Sequence, residues 1–165
     1  LYYTHDAHKS QGIFQLFLEG ESNMDSAKRV ISGTWGEVWL EGDKVSECYG
    51  LQAKVSFNKE DIALCGQMAS DKKVTSIECT GSLRMHKVTS RMALAIGENI
   101  RNGKDVRFTI VSKLKDPDAY GAERVVLSNV SFDDLTLADW EAKSVGKVEC
   151  PFTFTDYEFL DEIGV

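Results

Sequence analysis

Residues 51–58, LQAKVSFN, put Leu51, Ala53, Val55 and Phe57 on one side of an extended chain and Gln52, Lys54, Ser56 and Asn58 on the other. The pattern returns at Lys147 to Thr155, where Val148, Cys150, Phe152 and Phe154 share a face. A period of two matches a strand with one buried and one wetted face, and it does not fit the 3.6-residue period of a helix. Two such strands far apart in the chain require a sheet built from non-local pairs.

Further strands are expected at Trp35 to Leu40, Val74 to Val88 with a break near Gly81, Val106 to Leu114, and Glu123 to Phe132. "EGDK" after Leu40 reads as a turn, with Val45 to Glu47 as a short return strand. One helix stands out: Ser90 is placed as N-cap, Met92, Leu94, Ala95 and Ile96 supply apolar surface, and Gly103 is placed to stop it. Gly97 weakens it slightly. Lys59 to Lys73, KEDIALCGQMASDKK, reads as a long loop, of a length that in compact domains is often functional. The connection DDLTLADWEAKSVG is acidic, with Leu135, Leu137 and Trp140 as expected anchors, and the tail DYEFLDEIGV stays aromatic almost to its end. The fold class is mainly β (α+β): an antiparallel β-sandwich or partly open barrel with one flanking α-helix.

The first strand has a surplus. Trp35, Glu37 and Trp39 share one extended face, while Gly36, Val38 and Leu40 share the other, and Val38 and Leu40 can join the core. Two tryptophans left in water would expose a sizeable apolar patch. Their cover is either the chain's own helix or a neighbouring subunit, since aromatics are favoured at interfaces.

At 165 residues, with 42% apolar and 27% charged residues, the chain suits a globular domain, and no apolar run approaches the ~20 residues that span a membrane. A net charge of −7 argues against general nucleic-acid binding, which needs basic surface. Residues 1–115 carry 16 Lys/Arg against 14 Asp/Glu, whereas residues 116–165 carry three against 12. This asymmetry is either a solvated acidic surface or one of two complementary surfaces that meet between copies. Residues 1–24 read as an extension, added or poorly ordered, preceding one domain over 25–165. As a genuine arm, IFQLFLEG would pair on a sheet edge.

Reactive constellations are scarce. Cys48, Cys65, Cys79 and Cys150 are scattered without a CxxC pair, and the reduced state is expected, with Cys79 and Cys150 acting as small hydrophobes. His86 sits on a strand face without a nucleophile partner, and His5 and His8 would share a metal only in an ordered segment. Asp133 and Asp134 are adjacent and read as a solvated turn. GENIRNG closes a helix, whereas phosphate-binding glycine motifs open one, and NVS at Asn129 matches a glycosylation acceptor only formally. No cofactor, metal or catalytic residue is expected. A β-barrel ligand-binding protein or esterase-like enzyme stays the remote alternative.

The stretches ISGTWGEVWLEGDKV, GLQAKVSFNKEDI, CTGSLRMHKVTSRM, DVRFTIVSKLKDPDAYGAERVVLSNVSFDDLTLADWE and PFTFTDYEFLDEI occur in this order. Together, from Ile31 to Ile163, they resemble the XkdM-like tail tube proteins of contractile phages, phage-like elements and R-type bacteriocins of Gram-positive bacteria. The resemblance implies the tail tube fold and a structural role without chemistry. Six subunits would form a ring, their inner sheets joining as a β-barrel around a lumen, and rings would stack head to tail. Implied partners are further copies of the chain, the tail sheath protein, baseplate and tail terminator proteins, and DNA in the lumen if the particle is a phage. Assembly in the host cytoplasm and residence in the virion or bacteriocin particle follow. A negative lumen wall would suit passage of phosphates. The tube of a related contractile secretion system is the nearest alternative. The implied subunit interface comprises Trp35, Glu37 and Trp39, together with Lys59, Glu60, Asp61, Ile62, Leu64 and Met68 as a contact across rings.

Overall fold

The computed structural model describes residues 27–164. They fall into two units, divided after Val30. The first contributes only a 3-10 turn, Ala27–Arg29. The proposed extension 1–24, with IFQLFLEG, His5 and His8, lies outside the described residues.

The second unit is mainly antiparallel β. Its strands are β1 (Gly36–Leu40), β2 (Asp43–Lys44), β3 (Cys48–Ile62), β4 (Asp71–His86), β5 (Phe108–Leu114), β6 (Glu123–Phe132), β7 (Lys147–Thr153) and β8 (Asp156–Asp161). One helix, α1 (Arg91–Arg101), lies between β4 and β5. The strands run in the order β2-β1-β5-β6-β7-β4-β3, with β8 added on β6, and they do not close into a barrel.

The path divides at β6. Residues 124–128 of β6 pair with β8, whereas Ser131 and Phe132 pair with β7. Between them the register slips, Phe108 facing Val130 and Ile110 facing Leu127, so β6 carries one extra residue. Such a bulge bends a strand and increases its twist. Asn129 sits there with φ 58°, a left-handed conformation that asparagine tolerates better than most residues. Its Nδ2 donates to Thr155 Oγ1 at 2.9 Å, tying the bulge to the junction of β7 and β8. The NVS tripeptide thus marks a sheet corner.

Both sheets turn their apolar faces into one core. Phe152, Leu83, Ile110 and Val130 are fully buried, and Phe108, Phe132, Phe152 and Phe154 form a chain of ring contacts with centroids 5.4–6.2 Å apart. Gly81 is no break: β4 pairs through it on both sides, with Ala53 of β3 and Phe152 of β7. A Cβ at position 81 would stand 2.4 Å from both Phe152 Cζ and the Gln52 carbonyl oxygen. Glycine is therefore the space into which the Phe152 ring packs.

Other boundaries shift for local reasons. The turn after β1 is the two-residue loop Glu41-Gly42, both with positive φ (52° and 86°) as a type I′ hairpin requires. The return strand is consequently Asp43–Lys44, and Val45 drops into the core. Ser90 holds the N-cap position of α1 without a side-chain cap bond; Thr89 Oγ1 instead accepts from the Arg91 N–H at 3.4 Å. Met92 and Ile96 face the core, but Leu94 is exposed. In the acidic connection Leu135 alone is an anchor, since its Cδ2 would lie 3.3 Å from a Cβ at Gly97. Leu137 and Trp140 are 72% and 84% exposed and anchor nothing among the described residues. The tail forms β8, closed at its end by Arg124 Nε and Asp161 Oδ2 at 3.3 Å.

Gly81→Ala is expected to destabilise the fold by roughly 1–3 kcal/mol, because the rigid Phe152 ring and a paired backbone cannot both move aside. Urea denaturation of the variant checks this, and an unchanged midpoint would refute the packing argument.

Candidate assembly surface

Three features of the surface are unusual: the tryptophan face of β1, an exposed ribbon, and an open cleft beside two unpaired strand edges.

The tryptophan face is less uniform than an extended strand would make it. Trp35 ends a 3-10 turn, Gly33–Trp35, and is 51% exposed, so it does not stack in line with Glu37 and Trp39. Trp39 has cover from within the chain, because Lys44 and Lys113 each place Nζ 6.0 Å from its ring centroid. Cations at that distance are attracted to the ring, and their alkyl stems lie on apolar surface. Glu37 joins the two lysines, pairing with Lys44 and with Lys113 Nζ at 3.6 Å. The Lys44 hydrogen bond, with the charge of Lys113 behind it, holds its carboxyl below the usual range. An exposed network of this kind orients side chains more than it stabilises a fold.

The stretch Lys59 to Lys73 is not a fifteen-residue loop. Lys59–Ile62 belong to β3 and Asp71–Lys73 to β4, leaving residues 63–70 as the connection. Glu60 faces Lys73 and Asp61 faces Lys72, whose Nζ lies 2.8 Å from Asp61 Oδ1. Opposite charges set directly across a ladder favour that register. The signal was present in KED and DKK, but no apolar alternation drew attention to it. The resulting arm leaves the body at Asn58, where Thr75 is bulged out between the pairs Asn58–Ser76 and Lys59–Val74. It exposes Ile62, Leu64, Met68 and Val74, with Met68 wholly in solvent, and Phe57 and Ile77 are exposed at its base. All six of the sequence-predicted contact residues between 59 and 68 thus lie on this arm, and the structure does not bring them near Trp35 or Trp39 by any described contact.

The cleft lies between β3 and the strands β1, β5, β6 and β8. It has a volume of about 920 Å³; Leu51, Val55, Val125, Leu127, Tyr157 and Phe159 line it together with the charged Glu37, Lys54, Arg84, Lys113 and Glu123. Among the described residues β3 pairs only with β4 and β8 only with β6, so both present an unpaired edge. Sequence reading missed this because β8 was not recognised as a strand, although Tyr157, Phe159 and the intervening Glu158 alternate. Burial raises the thiol pKa of Cys48, at the cleft, and of Cys150, in the core. His86 stacks on Tyr49 at 4.8 Å, and among the described residues no His, Cys, Asp and Glu group is arranged to hold a metal.

One buried carboxylate locks the entrance to β1. Asp116 accepts from the Asp118 N–H at 3.0 Å and from the Ser32 N–H at 2.8 Å, 84 residues away in sequence. These two backbone bonds, in that order, lower its pKa below the usual carboxylate range.

Comparison with known proteins now bears on the surface. Residues 23–161 match the family model described as phage tail tube protein. The phage-like element PBSX protein XkdM of Bacillus subtilis (strain 168) is 31% identical over 139 residues, covering 83% of this chain and 95% of that protein. The protein YqbM of the same strain matches to the same extent. Among solved structures, the anti-feeding prophage tube-terminating cap aligns with a TM-score of 0.64 at 14% identity, covering 80% of this chain and 91% of that one. The sheath–tube complex of an extracellular contractile injection system aligns at 0.61 and 13%, covering 78% and 90%. At these identities the two structures show a shared fold. The chain belongs to the phage tail tube protein family. It is a tail-associated structural protein.

Two measurements follow. Trp35→Ala should leave monomer stability within about 0.5 kcal/mol, as for an exposed side chain, while reducing assembly measured by sedimentation; equal losses in both would place the Trp35 contact inside the monomer. For Asp116 the folded pKa is depressed, so its contribution is present above the unfolded carboxyl pKa and is lost as pH falls through the folded one. Asp116→Asn should therefore be less stable than wild type at neutral pH, and the gap should close in acid when thermal midpoints are compared across pH.

Proposed function

We propose that this chain assembles into six-membered rings that stack head to tail as the inner tube of a contractile tail. The tube is a conduit driven through a target envelope when a surrounding sheath contracts. The single observation that carries this is the pair of unpaired edges, β3 along fifteen residues and β8 along six, in a member of the tail tube family. A long exposed edge is a liability that proteins ordinarily cover, and a ring of identical subunits removes it by pairing each edge with the next copy. The arm built from Lys59–Ile62 and Asp71–Lys73, with Leu64 and Met68 in its connection, serves as the contact between rings. Trp35, Glu37 and Trp39 serve as a lateral contact.

In this reading the partners are further copies of the chain, then the tail sheath, baseplate and terminator proteins, with DNA in the lumen where the particle is a phage. Subunits assemble in the host cytoplasm and end in the tail of the virion or bacteriocin particle. A tube of a related contractile secretion system is the second reading. It is favoured by the structural likeness to a chain of the sheath–tube complex of an extracellular contractile injection system.

Negative-stain microscopy of concentrated protein tests the proposal. Rings or tubes with a central channel are expected; a strictly monomeric species at every protein and salt concentration overturns it.

A further inference from the structure

We propose that the Asp116–Pro117 peptide bond is a self-cleavage site, at which the Asp116 carboxylate displaces the proline nitrogen once the backbone N–H of Ser32 releases it. The folded chain holds this reaction off. The inference concerns the connection between β5 and β6 and does not depend on whether copies assemble.

Asp116 is the one buried polar or charged residue among those described, 9% exposed, in a turn set up by the sequence KDPDAY. Proline favours the second position of such a turn, and the Ala119 N–H closes it on the Asp116 carbonyl oxygen at 3.1 Å. A donor on that oxygen makes the carbonyl carbon a better target for a nucleophile. The side chain closes a second ring, since Oδ1 accepts from the Asp118 N–H at 3.0 Å, the local turn that aspartate favours. That ring encloses the Asp116–Pro117 peptide bond. Carboxylate and carbonyl carbon therefore belong to one short cycle, where attack is intramolecular and entropically favoured.

The step needs no reagent but water and a proton. One carboxylate oxygen bonds to the Asp116 carbonyl carbon and closes a cyclic anhydride, a covalent intermediate of the kind carboxylates form. The bond from that carbon to the Pro117 nitrogen breaks, the electron pair stays on nitrogen, and nitrogen takes up the proton. Water then opens the anhydride and leaves Asp116 with a main-chain carboxyl beside its side-chain one. Proline suits the departure, because its nitrogen belongs to a tertiary amide and has no N–H to anchor it.

Position restrains the step. Ser32 N–H holds Oδ2 at 2.8 Å and Asp118 N–H holds Oδ1, so neither oxygen is free to attack. Burial keeps out the water that opens the anhydride. Asp118 belongs to the same turn and moves with it, whereas Ser32 lies 84 residues away and leaves when the entrance to β1 lifts. The charged side chains of the segments that meet here are Lys115 and Asp118 of the loop and Glu162 of the tail, beside Gly121; Ser32 to Trp35 bring none. The two N–H groups are what hold the carboxylate ionised, and protonation in acid weakens both bonds. Acid thus loosens the grip of Ser32 and supplies the proton that proline needs. After the cut, the β5–β6 and β4–β7 ladders still join the two pieces, so the break shows only on denaturation.

Wild type, Ser32→Pro and Pro117→Ala are incubated in acidic buffer, at the lowest pH at which circular dichroism shows each folded, and also in urea at the same pH. Mass spectrometry under denaturing conditions reads fragments 1–116 and 117–165, together heavier than the chain by one water. Ser32→Pro lacks the restraining N–H, and when folded it should be cut about tenfold to a hundredfold faster than folded wild type, the factor carried by a hydrogen bond to a charged group. Wild type in urea has lost the same bond and should show a gain of that order, which serves where Ser32→Pro does not fold. Pro117→Ala keeps both hydrogen bonds and should stay intact at this bond in either state. Equal rates for folded and urea-treated wild type overturn the restraint, as does a folded Ser32→Pro cut no faster than wild type. An uncut chain in urea, or cutting of Pro117→Ala at the same place, overturns the site itself.

Discussion

The packing of Phe152 over Gly81 holds the two sheets as one body. β7 carries Phe152 from the sheet that contains β3 and β4, and the same ring meets Phe132 of β6 at 6.0 Å and Phe154 at 6.2 Å. It fits because β4 presents no side chain at position 81, where even a methyl group would collide with the ring and with the Gln52 carbonyl. The aromatic chain continues through Phe132 to Phe108, so β5 and β7 are joined through β6 without sharing a ladder. Core contacts of this kind are individually weak and collectively large, and they leave little room for adjustment.

The consequence of that joint is asymmetry. Near Phe152 the sheets converge and α1 closes one end with Met92 and Ile96. At the other side they diverge, because β6 gives residues 124–128 to β8 and only Ser131 and Phe132 to β7. The bulge at Asn129 makes this division possible within one strand. What is left open is a cleft with an unpaired strand on each side, and what is left over is an arm too far from the body to be buried by it. A single copy therefore leaves backbone hydrogen-bonding capacity and apolar surface unsatisfied in defined places, which is how a subunit built for an assembly differs from a monomer.

The interface residues named from sequence have different standing in this frame. Lys59, Glu60, Asp61, Ile62, Leu64 and Met68 lie together on the arm, exposed, with Asp61 paired to Lys72 across the ladder. Glu37 and Trp39 already have partners in Lys44 and Lys113, so a neighbour would have to displace or extend an existing network. Trp35 stands apart on its 3-10 turn, half in water. The sequence could not separate these cases, because the separation depends on β5 and β2 flanking β1, which is a matter of pairing and not of pattern.

Period-two alternation was enough to identify most strands, the apolar faces of Leu51 to Phe57 and Val148 to Phe154, and the mainly β class, since the side-chain direction in a strand is a local property. The ordered set of segments from Ile31 to Ile163 was enough to show kinship. The length of the β3–β4 hairpin, the role of Asn129 and Gly81, the existence of β8 and the cleft between the sheets were decided only by the tertiary structure. Each depends on which strands meet across dozens of residues, and the free energy that selects those meetings comes from packing and ladder hydrogen bonds, absent until the chain has folded.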